Sequence, residues 1–109
     1  MSLSEAEFRT HCDAALEGLN RALDVVAENY DAEVLYQNGV LSIDIEAPTA
    51  GKIVISPNTP VRQVWISAQS RSFKLDWSGS AFALHATGEP LRALVARLIG
   101  EQLGVKIKL

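Results

Sequence analysis

The stretch Pro60-Val61-Arg62-Gln63-Val64-Trp65-Ile66-Ser67, PVRQVWIS, decides how the rest of this chain is read. Side chains alternate across a β-strand, so Arg62, Val64 and Ile66 are expected on one side and Val61, Gln63, Trp65 and Ser67 on the other. The first side has the character of a core. The second sets a large aromatic beside an amide and a hydroxyl, where an indole needs either a cover or a partner. Composition alone favours a covered tryptophan, whereas the alternation places Trp65 on the polar side.

Outward from this strand the sequence reads as short alternating segments separated by turn signals, the pattern of an antiparallel meander. In residues 32–37, Ala32, Val34 and Tyr36 alternate with Glu33, Leu35 and Gln37, and Asn38-Gly39 is a type I′ hairpin turn. Residues 40–46 set Leu41, Ile43 and Ile45 against Ser42, Asp44 and Glu46. After a loop at 47–51, Ile53 and Ile55 share a face, and the opening strand runs to about residue 68. Gln69-Ser70 turns into residues 71–77, where Phe73, Leu75 and Trp77 alternate with polar positions, so Trp77 reads as core. Ser78-Gly79 turns into 81–85, with Phe82 and Leu84 together.

Helical patterns flank the meander. Ser4 and Glu7 form a capping box, with Leu3 placed to staple against Phe8. Apolar residues then recur at Phe8, Cys12, Ala15, Leu16, Leu19, Leu23, Val26 and Ala27, predicting one helix to about residue 28. Its opposite face carries Asp13, Glu17, Asp24 and Glu28 as a ridge. Thr87-Gly88-Glu89-Pro90 opens a second helix with a stripe of Leu91, Leu94, Val95, Leu98 and Ile99, and residues 103–109 alternate as an extended tail. Helix, about six strands, helix predicts an α+β two-layer sandwich, both helices on one face of an antiparallel sheet and the other face open. The 109 residues are read as one domain, 1–109.

Bulk properties narrow the function classes. Hydrophobic residues make up 48% and charged residues 21%, which is ordinary for a folded soluble chain. No apolar run reaches the roughly 20 residues that span a bilayer, and no signal-peptide pattern precedes the first helix, so a cytoplasmic location is expected. The single cysteine, Cys12, rules out an internal disulfide and any paired-cysteine metal site, and its place on the apolar stripe reads as packing. Residues 1–46 hold ten acids against two bases, a net −8, and residues 47–109 hold three acids against eight bases, a net +5. An anionic region of this kind attracts cations or a basic partner and repels nucleic acid. No phosphate loop, nucleophile elbow or acid within an apolar stripe is present, so no enzyme is expected. His11 and His85 lack acidic or histidine partners at ligand spacing, except that Glu7 lies one turn before His11, and no Glu-x-x-His pair exists to build a tight di-iron site.

Together these features resemble the frataxin family, in its bacterial CyaY-like branch. The resemblance rests on the acidic first helix leading to Asp31-Ala32-Glu33, Asn38-Gly39-Val40-Leu41, Val54-Ile55 with Asn58-Thr59-Pro60, Gln63-Val64-Trp65-Ile66-Ser67, Leu75-Asp76-Trp77 and the helix start from Gly88. It implies a non-enzymatic protein that docks on a cysteine desulfurase and iron–sulfur scaffold protein, modulates cluster assembly and acts as a weak iron binder or donor. It further implies a monomer, with metal-induced oligomers as an alternative, in the bacterial cytoplasm, or in the mitochondrial matrix for a mature eukaryotic form. Iron would be held weakly, as iron(II) or iron(III), by carboxylates of the ridge, here Glu17, Asp24, Glu28, Asp31 and Glu33. The partner would meet Asn58, Gln63, Trp65 and Lys74 on the open sheet. The chain departs from the family at Asn20, Arg21, Val25, Ala27, Asn29 and Leu35, where enterobacterial relatives carry acids, and at Ser56-Pro57, where Asn-Lys is usual. A second reading is a metal-independent interaction module whose acids only steer a basic partner.

Overall fold

The capping box forms as its spacing requires, in a computed structural model that describes residues 3–109. Glu7 N–H donates to Ser4 Oγ at 3.1 Å, and Ser4 N–H donates to Glu7 Oε1 at 3.0 Å. That backbone donor, followed by the Ser4 hydroxyl, holds the Glu7 carboxyl below its ordinary pKa. Helix α1 then runs Glu5–Ala22, breaks at Leu23, and resumes as α2, Asp24–Asn29. The expected single helix to residue 28 is therefore two. Leu23 is fully buried at the break, so the apolar stripe passes through it uninterrupted and conceals it. Ala27, expected on that stripe, is exposed.

The sheet is a six-stranded antiparallel meander in the order β1 (Ala32–Gln37), β2 (Val40–Ile45), β3 (Gly51–Asn58), β4 (Gln63–Ala68), β5 (Arg71–Trp77), β6 (Phe82–Leu84). Asn38 and Gly39 both take positive φ, 54° and 77°, as a type I′ turn demands. Between β3 and β4 the expectation of an extended strand from Pro60 fails. Thr59–Val61 forms one 3-10 turn with proline at its start, and Arg62 follows with φ 55°. Arg62 therefore sits at a reversal, where its side chain donates to the carbonyl oxygens of Thr59 and Leu3.

Leu41, Ile43, Ile45, Ile53, Ile55, Val64, Ile66, Ala68, Leu75 and Phe82 line the inner face of the sheet. Against them lie Phe8, Cys12, Leu16 and Leu19 of α1, Val26 of α2, and Leu91, Leu94, Val95, Leu98, Ile99 and Leu103 of α3 (Leu91–Leu103). Among the described residues no polar or charged side chain is buried. Burial pushes the Cys12 thiol up to about 11, with the Asp13 carboxylate adding to it, so packing suppresses its nucleophilicity. Trp77, expected in the core, is half-buried at its margin. Its indole stacks on His11 with ring centroids 4.0 Å apart and meets Phe82 at 5.1 Å.

Helix α3 stops at Gly104, whose φ of 73° lets its N–H and that of Val105 both reach the Gly100 carbonyl. A Cβ on Gly100 would lie 2.7 Å from the Val105 carbonyl oxygen, so glycine permits the tail to turn across the helix. Ile107 and Leu109 then pack on the core without forming a strand. An exposed chain of ion pairs, Glu89–Arg97–Glu101–Arg71, ties α3 to the start of β5 at 2.6 to 3.4 Å.

The packing sets a graded response to truncation. Phe8 is fully buried and meets Phe82 edge-to-face at 5.7 Å, whereas Leu35 is 56% exposed on the edge strand. Phe8→Ala is expected to cost about 3–5 kcal/mol in urea unfolding, and Leu35→Ala less than about 0.5 kcal/mol. Equal losses at the two positions would contradict this placement of the core.

Candidate functional site

With Val64 and Ile66 buried beneath the helices, the pleat turns Trp65 to the opposite face, where it is 36% exposed. Strand pairing builds its surroundings. Ser56 of β3 and Lys74 of β5 lie directly across from Trp65, while Asn58 and Asp76 lie across from Gln63. The indole Nε1–H donates to Gln63 Oε1 at 2.9 Å, and Gln63 Nε2 donates to Asp76 Oδ1 at 3.0 Å. The Asp76 carboxylate accepts only, so it fixes which end of the Gln63 amide faces the indole. Lys74 Nζ lies 4.9 Å from the Trp65 ring centroid, a cation–π contact across the strands. Both the polar edge and the orientation of the ring are thus set before any partner arrives. A shallow groove of about 200 Å³ beside it is lined by Val54, Ser56, Ser67 and Ser72 among others. Ser56, where the family resemblance leads one to expect asparagine, lines this groove with its short side chain. Pro57 sits in β3 opposite Val64, and Asn58 ends that strand half-buried.

The acids are placed differently. Glu17 on α1, Asp24 and Glu28 on α2, Asp31 in the connection and Glu33 on β1 are all exposed, and among the described residues none of the five joins an ion pair. Burial first, then the Asp13 and Glu17 carboxylates, raises the Tyr36 phenol above its ordinary value. At the open end of the first hairpin, Glu33 lies opposite Asp44, whose carboxylate is 3.9 Å from Lys52 Nζ, and the Asp31 backbone carbonyl accepts from the Glu46 N–H at 2.9 Å. Among the described residues no three Asp, Glu, His or Cys side chains are arranged to hold a metal ion together. The carboxylates therefore suit a hard cation held by one or two side chains and water, and do not fit an enclosed resident metal centre. The break at Leu23 contributes, because Glu17 lies on a different helix from Asp24 and Glu28.

Sequence reasoning passed over Asp44, Glu46 and Asp76 as site residues. Both two-residue turns already contain the signal. A hairpin closed by Asn38-Gly39 must pair 33 with 44, and one closed by Gln69-Ser70 must pair 65 with 74 and 63 with 76.

Residues 1–105 match the family model described as a frataxin-like domain. The "Iron-sulfur cluster assembly protein CyaY" of Azotobacter vinelandii is 32% identical over 112 residues, covering 99% of this chain and 96% of that protein. The protein of the same name from Stutzerimonas stutzeri is 33% identical over 106 residues, covering 95% and 93%. A solved frataxin of Psychromonas ingrahamii superposes with a TM-score of 0.82 over 97% of both chains at 18% identity, a likeness of fold. The two-layer sandwich, its open face centred on Trp65 and the near full-length match agree, and the chain belongs to the frataxin-like domain family.

Proposed function

We propose that this chain is an adaptor in iron–sulfur cluster assembly, docking through the open sheet face around Trp65 on a cysteine desulfurase and its scaffold protein. One observation carries the reading. Trp65 stands exposed with its ring already locked by Gln63, Asp76 and Lys74, so little side-chain freedom remains to be lost on binding. A rigid aromatic at the centre of a patch is the kind of residue that dominates a protein interface. The names carried by relatives alike over nearly their whole length supply the pathway. Asn58, Gln63 and Lys74 complete the contact surface. The adaptor acts by binding and requires no catalytic group of its own.

The acidic residues give the second surface. Glu17, Asp24, Glu28, Asp31 and Glu33, joined by Asp44 and Glu46, steer a basic partner and hold iron weakly as cargo, with water completing its shell. Support for iron here is that Glu17, Asp24, Glu28, Asp31 and Glu33 are exposed and, among the described residues, in no ion pair. The spread of those groups over two helices and a hairpin keeps the reading at loose binding, and metal-independent steering of a partner is the competing one.

Two measurements test these surfaces. Trp65→Ala should change unfolding free energy by less than about 1 kcal/mol, while weakening binding to a cysteine desulfurase at least about 30-fold. A large loss of stability with binding intact would return the indole to a structural role. Anaerobic titration with iron(II) should selectively broaden amide signals near Asp24, Glu28, Asp31 and Glu33. Unchanged signals at about 1 mM metal would leave the ridge a steering surface only.

A further inference from the structure

On the helix side of the sheet, away from Trp65, a groove of about 480 Å³ opens between α1, the β5–β6 hairpin and the start of α3. Its walls include Ala15, Trp77, Phe82 and Leu91, and it ends at Arg92. No acid lines it, although α1 is among the most acidic parts of the chain. The volume falls within the range of small-molecule sites, and the surface is mostly apolar, with Arg92, His11 and Ser80 among its polar side chains. His11 stacked on Trp77 fixes the far wall, the two rings lying within 19° of parallel.

Arg92 is the group that stands out. Among the described residues it has no carboxylate partner, unlike Arg71 of β5 and Arg97 of its own helix. Its guanidinium lies across α1 at Gly18, where a Cβ would come within 2.8 Å of Nη2. Gly18 is buried in the middle of a helix, where glycine is unfavourable, and here it provides the space that the guanidinium fills. Arg21 Nη2 lies 4.0 Å from that same point, so two like charges are brought to one place on the helix seam. An arginine without a carboxylate partner that lines an apolar groove, with a second guanidinium near its own at Gly18, is complementary to an anion carrying an apolar body.

We propose that this groove binds a small aromatic carboxylate, its ring against the half-buried Trp77 and Ala15 and its carboxylate on Arg92, with Arg21 adding to the positive field. The site is separate from the docking face, lying in the helical layer, and could be occupied while Trp65 is engaged.

The probe is 2-naphthoate, titrated into the ¹⁵N-labelled chain, with neutral 2-naphthylmethanol as comparison. Saturable shifts are expected at His11, Ala15, Arg92 and the Trp77 indole N–H, and only weakly with the alcohol. Arg92→Gln, an exposed position, should raise Kd at least about tenfold, as loss of a charge-assisted pair requires. Arg92→Lys should recover part of that loss, and Trp65→Ala should leave Kd unchanged. Equal shifts with the alcohol, an unaltered Kd in Arg92→Gln, or no shifts at about 10 mM naphthoate would overturn the proposal.

Discussion

Val64 and Ile66 are almost wholly withdrawn from solvent between the sheet and its helices, and Trp65 lies between them. The period of a strand is two, so the same register that buries the aliphatic pair expels the indole. Slipping β4 by one residue would bring Trp65 and Gln63 inside and put Val64 and Ile66 out, losing the contact of both with the core. Hydrophobic burial on one face is thus what specifies the chemistry of the other. The rest of the open surface follows from the two hairpin registers on either side of β4.

That exposed face is ordered by hydrogen bonds and not by packing. Asp76 orients Gln63, Gln63 takes the indole N–H, and Lys74 covers part of the ring from the neighbouring strand. Each contact is at or near the surface and contributes little to stability by itself. Their joint effect is to hold an aromatic side chain in one orientation with its apolar surface still available. The acidic residues lack such organisation, since they are spread over α1, α2 and the first hairpin without converging. The two surfaces are thus suited to different tasks, a shaped contact and a diffuse field.

Much of this is legible in the sequence. Alternation in β2, β4 and β5, the Asn38-Gly39 turn, the Ser4–Glu7 capping box and the stripe from Leu91 to Ile99 each have a local cause, and the structure retains them. What escaped were features decided by tertiary context. Leu23 looks like one more helical core residue because burial continues through the break, and the break is visible only in the backbone. Pro60 is compatible with a strand edge and with the start of a 3-10 turn, and the positive φ at Arg62 carries no sequence signature of the kind glycine would give. Trp77 and His11 are far apart in sequence, so their stacking could not be anticipated. Asp44 and Asp76 were within reach, through register arithmetic on turns already recognised.

Under the proposed function the open sheet, and not the helices, is the surface that meets the assembly machinery. Adding a purified cysteine desulfurase with its scaffold protein to the ¹⁵N-labelled chain and following signal loss residue by residue addresses this directly. The Trp65 indole N–H and the amides of Gln63, Ser67 and Lys74 should lose intensity first, with the α3 amides from Ala93 to Glu101 retained. Loss confined to α1 and α3, with the Trp65 indole signal unchanged, would contradict it.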